Sequence, residues 1–162
     1  MDINQFILKL NHLAEYILEP NRKKNLTPFF FPRQINNPIE EQNDLLLTFI
    51  YNYDVSNFRI GAFNLHDADQ IEYNEQYIFI GTWEIDELVI DRTDNKVKII
   101  DYELSKIISI AVNSEKFLSN LIEIEKSILL RESDEKKIIL INNIIDYKES
   151  LSFYLTWIGY GN

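Results

Sequence analysis

The 162-residue sequence predicts an α+β fold in which a central antiparallel sheet is flanked by an N-terminal helix and two or three C-terminal helices. Apolar residues recur at helical spacing near both ends of the chain, whereas the middle alternates β-rich runs with turn residues. Strands joined by short polar turns pair antiparallel. The length is typical of one domain and there is no internal repeat, so we expect a single domain over residues 1–162.

The N-terminal part predicts one helix followed by an irregular segment. Residues 3–18 carry one apolar stripe at helical spacing, and Pro20 predicts the end of that helix. Residues 19–44 contain all four prolines and therefore predict a proline-rich loop. Three consecutive phenylalanines at 29–31 are open to two interpretations, an anchor of this loop on the core or an apolar contact for a partner.

The middle of the chain predicts the sheet. Residues 45–51 and 58–63 are rich in strand formers and are separated by turn residues, which suggests two paired strands. Residues 65–70 predict a loop or a short helical turn. Residues 77–80 are apolar on both faces, as in a central strand. Two further strands at 88–91 and 97–101 are expected to form a hairpin around the polar loop between them.

The C-terminal third predicts one more strand and then helices. Residues 107–112 are β-rich, and Asn113 or Ser114 is expected to cap a helix that continues to about Leu130. Ser133, followed by two acids, begins a further helical pattern. That pattern is compatible with one long helix or with two helices that break near Tyr147.

The charge of the chain is negative and unevenly distributed. The net charge is −10, and residues 40–103 alone contain fifteen acidic and four basic residues. This excess argues against nucleic acid and anionic membranes as partners, because both attract basic proteins. The acidic stretch is either a solvated face or a docking surface for a basic partner, whose encounter opposite charge accelerates.

The docking interpretation gives a set of candidate partner-binding residues: Asp67, Asp69, Glu72, Glu75, Trp83, Glu84, Asp86 and Glu87. Trp83 is itself open to two interpretations, because tryptophan is favoured both in cores and at interface hot spots. Trp157 is interpreted as a core residue of the last helix. The spacing of Glu84 and Asp86 places them on one side of an extended segment, with Ile85 on the other.

The sequence contains no familiar catalytic motif. Cysteine is absent, and neither a Gly-x-Ser-x-Gly nucleophile motif nor a glycine-rich phosphate loop is present. His12 lies beside the apolar stripe of the first helix, and His66 with Asp67 and Asp69 could ligate a metal but is more typical of a loop. We therefore predict no catalytic residues, no metal, no cofactor and a protein that is not an enzyme.

The sequence shows neither a secretory signal nor a membrane-spanning segment. The N-terminus lacks the basic and apolar regions of a secretory signal. No apolar run approaches the roughly 20 residues of a membrane span. We therefore expect a cytoplasmic location and no membrane partner.

The stretch from Tyr77 to Leu121 shows a particular order of motifs. One apolar strand ends in Gly81, a second ends in Asp91, and a third, which follows a polar turn, ends in Asp101. The run Ile110-Ala111-Val112-Asn113-Ser114-Glu115-Lys116-Phe117-Leu118 then opens a helix. This order resembles the SUKH superfamily, which includes bacterial immunity proteins and fungal cell-wall-synthesis regulators.

The resemblance implies a partner and a mode of action. A member of this superfamily is an α+β domain that binds a protein, in bacteria usually a cognate toxin delivered by a neighbouring cell. The immunity protein occupies the toxin and blocks it without catalysis. Many such toxins are nucleases with basic clefts, which an acidic protein can fill as a nucleic-acid mimic. The alternative is an intracellular interaction or regulatory domain of the same fold that has no toxin partner.

Overall fold

The computed structural model describes residues 1–16, 33–35 and 43–159, and in this part of the chain it confirms the predicted α+β class. The described helices are α1 (Ile3–Leu13), α2 (Leu45–Asn52), α3 (Ser114–Leu129), α4 (Asp134–Ile144) and α5 (Leu151–Trp157). The described strands are β1 (Arg59–Ile60), β2 (Phe63–Leu65), β3 (Glu72–Tyr73), β4 (Tyr77–Trp83), β5 (Asp86–Asp91), β6 (Val97–Asp101) and β7 (Lys106–Ala111). The phenylalanines at 29–31 and most of the proline-rich segment lie outside the described residues.

The seven strands form one antiparallel sheet. The strand order is β1-β2-β4-β5-β6-β7, and β3 pairs with β4. Strand β2 pairs with the second half of β4 and β3 with its first half, so both lie along the edge of β4 that faces away from β5. Strands β4 to β7 are consecutive antiparallel neighbours, so the turn that joins β4 to β5 and the turn that joins β6 to β7 project from the same end of the sheet.

Residues 45–51 are helical, so their prediction as a strand is wrong. The carboxylate of Asp44 caps the helix and accepts hydrogen bonds from the backbone N–H groups of Leu46 and Leu47, at 2.9 and 3.0 Å. Most of α2 is buried, and a helix buried on all sides shows no amphipathic period. Leucine is a good helix former, which makes an N-capped leucine run stable as a helix.

The segment 58–63 is also different from the prediction. It is not one strand paired with residues 45–51 but contains β1 and the start of β2, which pair with each other across a turn at Gly61-Ala62. Gly61 has a left-handed φ of 60°, and a Cβ atom there would lie 2.2 Å from the indole nitrogen of Trp157. The close packing of this tryptophan therefore requires glycine at the turn.

The hairpin predicted between 88 and 101 is present as β5 and β6, and the strand at 77–80 is also present but continues through Gly81 to Trp83. The predicted short helical turn is a 3₁₀ turn at Ala68–Gln70. Asn113 is the N-cap of α3, since its side chain accepts a hydrogen bond from the N–H of Lys116 at 2.8 Å.

The C-terminal pattern forms two helices, α4 and α5, with a break between them. This break covers the free edge of β7: the N–H of Ser109 donates to the carboxylate of Glu149 at 3.4 Å, and the N–H of Val112, just after the strand, donates to Asp146 at 3.2 Å. The hydroxyl of Tyr154 on α5 donates to the carbonyl of Ile110 at 2.7 Å. Side chains thus occupy backbone groups that an open sheet edge would offer to another chain.

The helices pack on one face of the sheet. The alternate residues Leu88 and Ile90 of β5 belong to the same buried cluster as Phe6 of α1 and Phe117 of α3. Trp83, which is 7% exposed, packs against Phe63, Phe153 and Trp157 in this core. Trp83 and Trp157 are therefore both core residues, and the Trp83 ring is not accessible to a partner.

Candidate functional site

The structure separates the predicted acidic residues into three places. Asp67 and Asp69 lie in the 3₁₀ turn between β2 and β3, at the edge of the sheet. Glu72 and Glu75 lie on β3 and in the turn that follows it. The third group begins with Glu84, at the opposite end of β4. Glu84 comes five residues after Phe79, which pairs with Glu72, and five residues span roughly 16 Å at the usual rise of a strand.

This third group is the most concentrated, and we call it the acidic sheet end. It is formed by the β4–β5 turn and the β6–β7 turn. Glu84 lies in the first turn and Glu103 in the second, and Asp86 and Asp101 are the strand residues next to these turns. Because Glu87 pairs with Ile100, Asp86 and Asp101 are one step further along neighbouring strands, which are about 4.8 Å apart.

The carboxylates of the acidic sheet end influence one another. Burial raises the pKa of Asp86, and the neighbouring charges of Asp101, Glu103 and Glu84 raise it further. A hydrogen bond from the backbone N–H of Tyr102 acts in the opposite direction, but it does not cancel these effects. Within the described residues no ion pair neutralises this group, although Lys106 lies opposite Asp101 in the sheet.

Two features of this site differ from the sequence prediction. Glu84 and Ile85 form the turn of a hairpin in which Trp83 pairs with Asp86, so they do not lie in an extended segment. Asp101 and Glu103 were not among the candidate residues. The predicted hairpin contained the signal for them, because a hairpin brings the start of its first strand beside the end of its second strand.

Glu87 lies next to this site but faces differently. It pairs with Thr82 and Ile100 on the face of the sheet opposite the helices. One oxygen of its carboxylate, Oε2, is buried and has no hydrogen-bond partner among the described residues. Its burial makes Glu87 a poor residue for a direct charge contact with a partner.

The acidic residues at the sheet edge have a different environment. Burial raises the pKa of Asp67, and the charges of Asp54 and Asp69 raise it further, while His66 lowers it. The side chain of His66 has a buried Nδ1 without a hydrogen-bond partner in the described part of the chain. No three His, Asp or Glu residues of the described ranges are placed to share a metal ion. His12 is exposed and its Nδ1 contacts Glu15 Oε1 at 3.1 Å.

A cleft of about 470 Å³ lies at the other end of the sheet, between the β5–β6 loop and the N-termini of α2 and α3. Its polar lining includes Asp44, Arg92 and Asn113. Asp44 is already bonded to the α2 N-terminus and to Ser114 Oγ, at 2.6 Å, and Asn113 caps α3. Asp44 and Asn113 therefore serve the two helix N-termini, and the guanidinium of Arg92 donates to the carbonyl of Asn74 at 2.6 Å, so the acidic sheet end is the stronger candidate site.

Comparison of the chain with protein-family models, curated proteins and solved structures found no match. No helix among the described residues combines the length and the apolar character that crossing a bilayer requires.

Neutralising Asp86 is expected to stabilise the fold. In Asp86→Asn the repulsion with Asp101 is removed while the side chain keeps its size, so we expect a gain of about 0.5 kcal/mol at pH 7. Because the folded-state pKa of Asp86 is raised, its ionisation costs stability at neutral pH and this cost disappears as the carboxyl is protonated. The gain should therefore vanish at low pH.

Urea unfolding at pH 7 and pH 3 measures this effect. Glu75→Gln, an exposed change at the other end of the sheet, is the control and should leave the free energy of unfolding unchanged. A loss of stability in Asp86→Asn at pH 7 would contradict the expected repulsion.

Proposed function

We propose that the protein is a non-catalytic immunity protein that binds a cognate toxin through the acidic sheet end and neutralises it by occlusion. The observation that carries the proposal is the gathering of Glu84, Asp86, Asp101 and Glu103 in and beside two adjacent turns, without an ion pair among the described residues. Such a cluster costs stability in the free protein, as groups kept for binding often do. The resemblance to the SUKH superfamily supports the same class of function.

The charge of this surface fits a basic partner. A cleft that binds nucleic acid presents lysine and arginine, and carboxylates spaced along two turns can pair with them. Complementary charge accelerates encounter and disfavours acidic partners. The partner is accordingly a toxin with a basic surface, and binding takes place in the cytoplasm of the producing cell. Neither nucleic acid nor a membrane is a partner in this proposal.

Co-expression tests the proposal. The C-terminal domain of the protein encoded immediately upstream of this gene is induced in a sensitive host, with and without this chain. We expect growth arrest by that domain alone and restored growth with the chain. Growth arrest that the chain does not relieve contradicts the immunity function, and an upstream product without toxicity favours the regulatory alternative.

A pair of charge reversals connects this protection to the site. Glu84→Lys/Glu103→Lys changes two exposed residues of the acidic sheet end, whereas Glu72→Lys/Glu75→Lys makes the same change of charge elsewhere. Only the first double variant should lose protection. Equal loss in both variants would show that net charge, and not this surface, determines binding.

A further inference from the structure

The acidic sheet end also carries the most exposed apolar side chains of the described residues. Ile85 is 72% exposed, Leu104 63% and Tyr102 62%, ahead of every other large apolar residue at the described surface. All three lie in the two turns that bear the carboxylates. Apolar residues scattered singly on a surface need no explanation, but three on adjacent turns form a patch of the kind found at interaction sites.

The local needs of the turns do not explain these residues. Glu84 and Ser105 have left-handed φ angles of 53° and 50°, a conformation that costs a side chain other than glycine or asparagine about 1–2 kcal/mol. Between its strands neither turn contains glycine, proline, asparagine or aspartate, and Ser105 is the one residue of a type that turns commonly use. The exposed apolar residues Ile85, Tyr102 and Leu104 are thus not residue types that turn formation itself favours.

Turns at the opposite end of the same sheet follow the usual chemistry. In the β5–β6 loop the left-handed position is occupied by Asn95, with a φ of 58°. In the β3–β4 turn the side chain of Asn74 accepts hydrogen bonds from the N–H groups of Gln76 and Tyr77, at 2.8 and 2.6 Å. The β6–β7 turn has a similar side-chain hydrogen bond, from the N–H of Leu104 to Asp101, but the left-handed positions of both turns at the acidic sheet end carry a residue other than glycine or asparagine. Such departures concentrate at functional sites.

The two turns are held in place before any partner arrives. The carboxylate of Asp101 accepts a hydrogen bond from the N–H of Leu104 at 2.8 Å. The N–H of Glu84 donates to the carbonyl of Ala62 at 3.2 Å. Fixed turns lose little conformational freedom on binding, which favours affinity.

We propose that Ile85, Tyr102 and Leu104 anchor the partner by entering an apolar cleft that is rimmed by lysine or arginine. The neighbouring carboxylates argue for this partner, because they complement a basic rim, and against a second copy of this chain, whose equal charges would repel. Aromatic and aliphatic anchors within a polar rim are the usual arrangement of interface hot spots. This inference rests on the proposed binding role of the same site and adds the apolar specificity that charge alone lacks.

NMR spectra of the ¹⁵N-labelled chain test the proposal with two synthetic peptides. One peptide alternates lysine with leucine, and the other has the same lysines with serine in place of leucine. We expect the lysine–leucine peptide to shift the signals of residues 84–86 and 101–105 and to bind at least about tenfold more tightly than the lysine–serine peptide.

Matched variants complete the experiment. Ile85→Ser/Leu104→Ser should reduce affinity for the lysine–leucine peptide by at least about tenfold. Leu8→Ser/Ile139→Ser, which removes two side chains of similar exposure (59% and 55%) elsewhere, should leave that affinity unchanged. Equal binding of both peptides, shifts spread over all acidic residues, or no shift at the two turns would overturn the proposal.

The outcome is separable from that of the growth assay. Binding of the lysine–leucine peptide at the two turns without protection from the toxin would leave the docking surface in place and reject the immunity function. Protection without any contact at the two turns would reject both the apolar anchors and the acidic sheet end as the binding surface, and would leave the immunity function in place.

Discussion

Lys98→Met is expected to destabilise the protein by about 2–3 kcal/mol, since it leaves a buried carboxylate without its cation. The ammonium group of Lys98 lies 2.7 Å from Asp91 Oδ2 and 3.3 Å from Asp94 Oδ2. The side chains of Lys98 and Asp91 are only 13% and 2% exposed, so water cannot replace the lost interaction. Urea unfolding at pH 7 measures the difference.

The same substitution is expected to change the pH dependence of stability. Burial alone would raise the pKa of Asp91, but hydrogen bonds from Lys98 and Thr93 outweigh it and hold that pKa well below the usual range. A carboxyl with a lowered pKa contributes stability above its unfolded pKa, and this contribution is lost as the pH falls. The wild type should therefore lose stability from about pH 5 downward more steeply than Lys98→Met.

Lys96→Met is the matched control for this pair. Lys96 Nζ also contacts Asp94, at 2.9 Å, but both of these side chains are about one-third exposed. Exposed pairs contribute little, so the control should change the free energy of unfolding by less than about 0.5 kcal/mol. Similar effects of the two lysine substitutions would contradict the structural importance assigned to the buried pair.

Gly81→Ala is expected to cost about 2–3 kcal/mol because the sheet has no room for a side chain at this position. A Cβ atom on Gly81 would lie 2.2 Å from the backbone oxygen of Asn64 and 3.0 Å from Cα of Leu65. Both atoms belong to β2, so relief requires movement of a whole strand and not a change of rotamer. Thermal and urea unfolding measure the loss.

A second glycine separates this clash from simple backbone strain. Gly159 has a left-handed φ of 75°, but nothing lies within 4 Å of a Cβ built there. Gly159→Ala should therefore cost only the strain, about 1 kcal/mol. Equal losses of stability in Gly81→Ala and Gly159→Ala would show that β2 leaves room for a Cβ atom on β4, contrary to the distances at Gly81.

The part of the fold that the sequence predicts best is the part with clear local signals. The hairpin of β5 and β6 has two apolar runs around a polar loop, and α3 has an asparagine cap followed by helical spacing. Residues 45–52 lack such a signal, because a short, continuously apolar run has the same hydrophobic pattern in a buried strand and in a buried helix. Asp44 immediately before the leucines was the available clue to an N-cap.

The candidate site could be predicted only in part for a different reason. Glu84 and Asp86 stand out in sequence as an acidic run, but Asp101 and Glu103 join them through strand pairing. Glu72 and Glu75 belong to the same run and lie elsewhere, since β4 carries the chain across the sheet between them. The exposure of Tyr102 and Leu104 depends on which turns project from the sheet, and that follows from topology.

The affinity of the chain for the C-terminal domain encoded upstream is the most direct measure of the central claim, that the acidic sheet end binds a basic toxin. Calorimetric titration would compare the wild type with the two charge-reversal double variants. We predict that Glu84→Lys/Glu103→Lys weakens binding by at least about thirtyfold, or roughly 2 kcal/mol, and that Glu72→Lys/Glu75→Lys weakens it less than about threefold. Unchanged affinity in the first variant, or equal losses in both, would contradict the assignment of this surface.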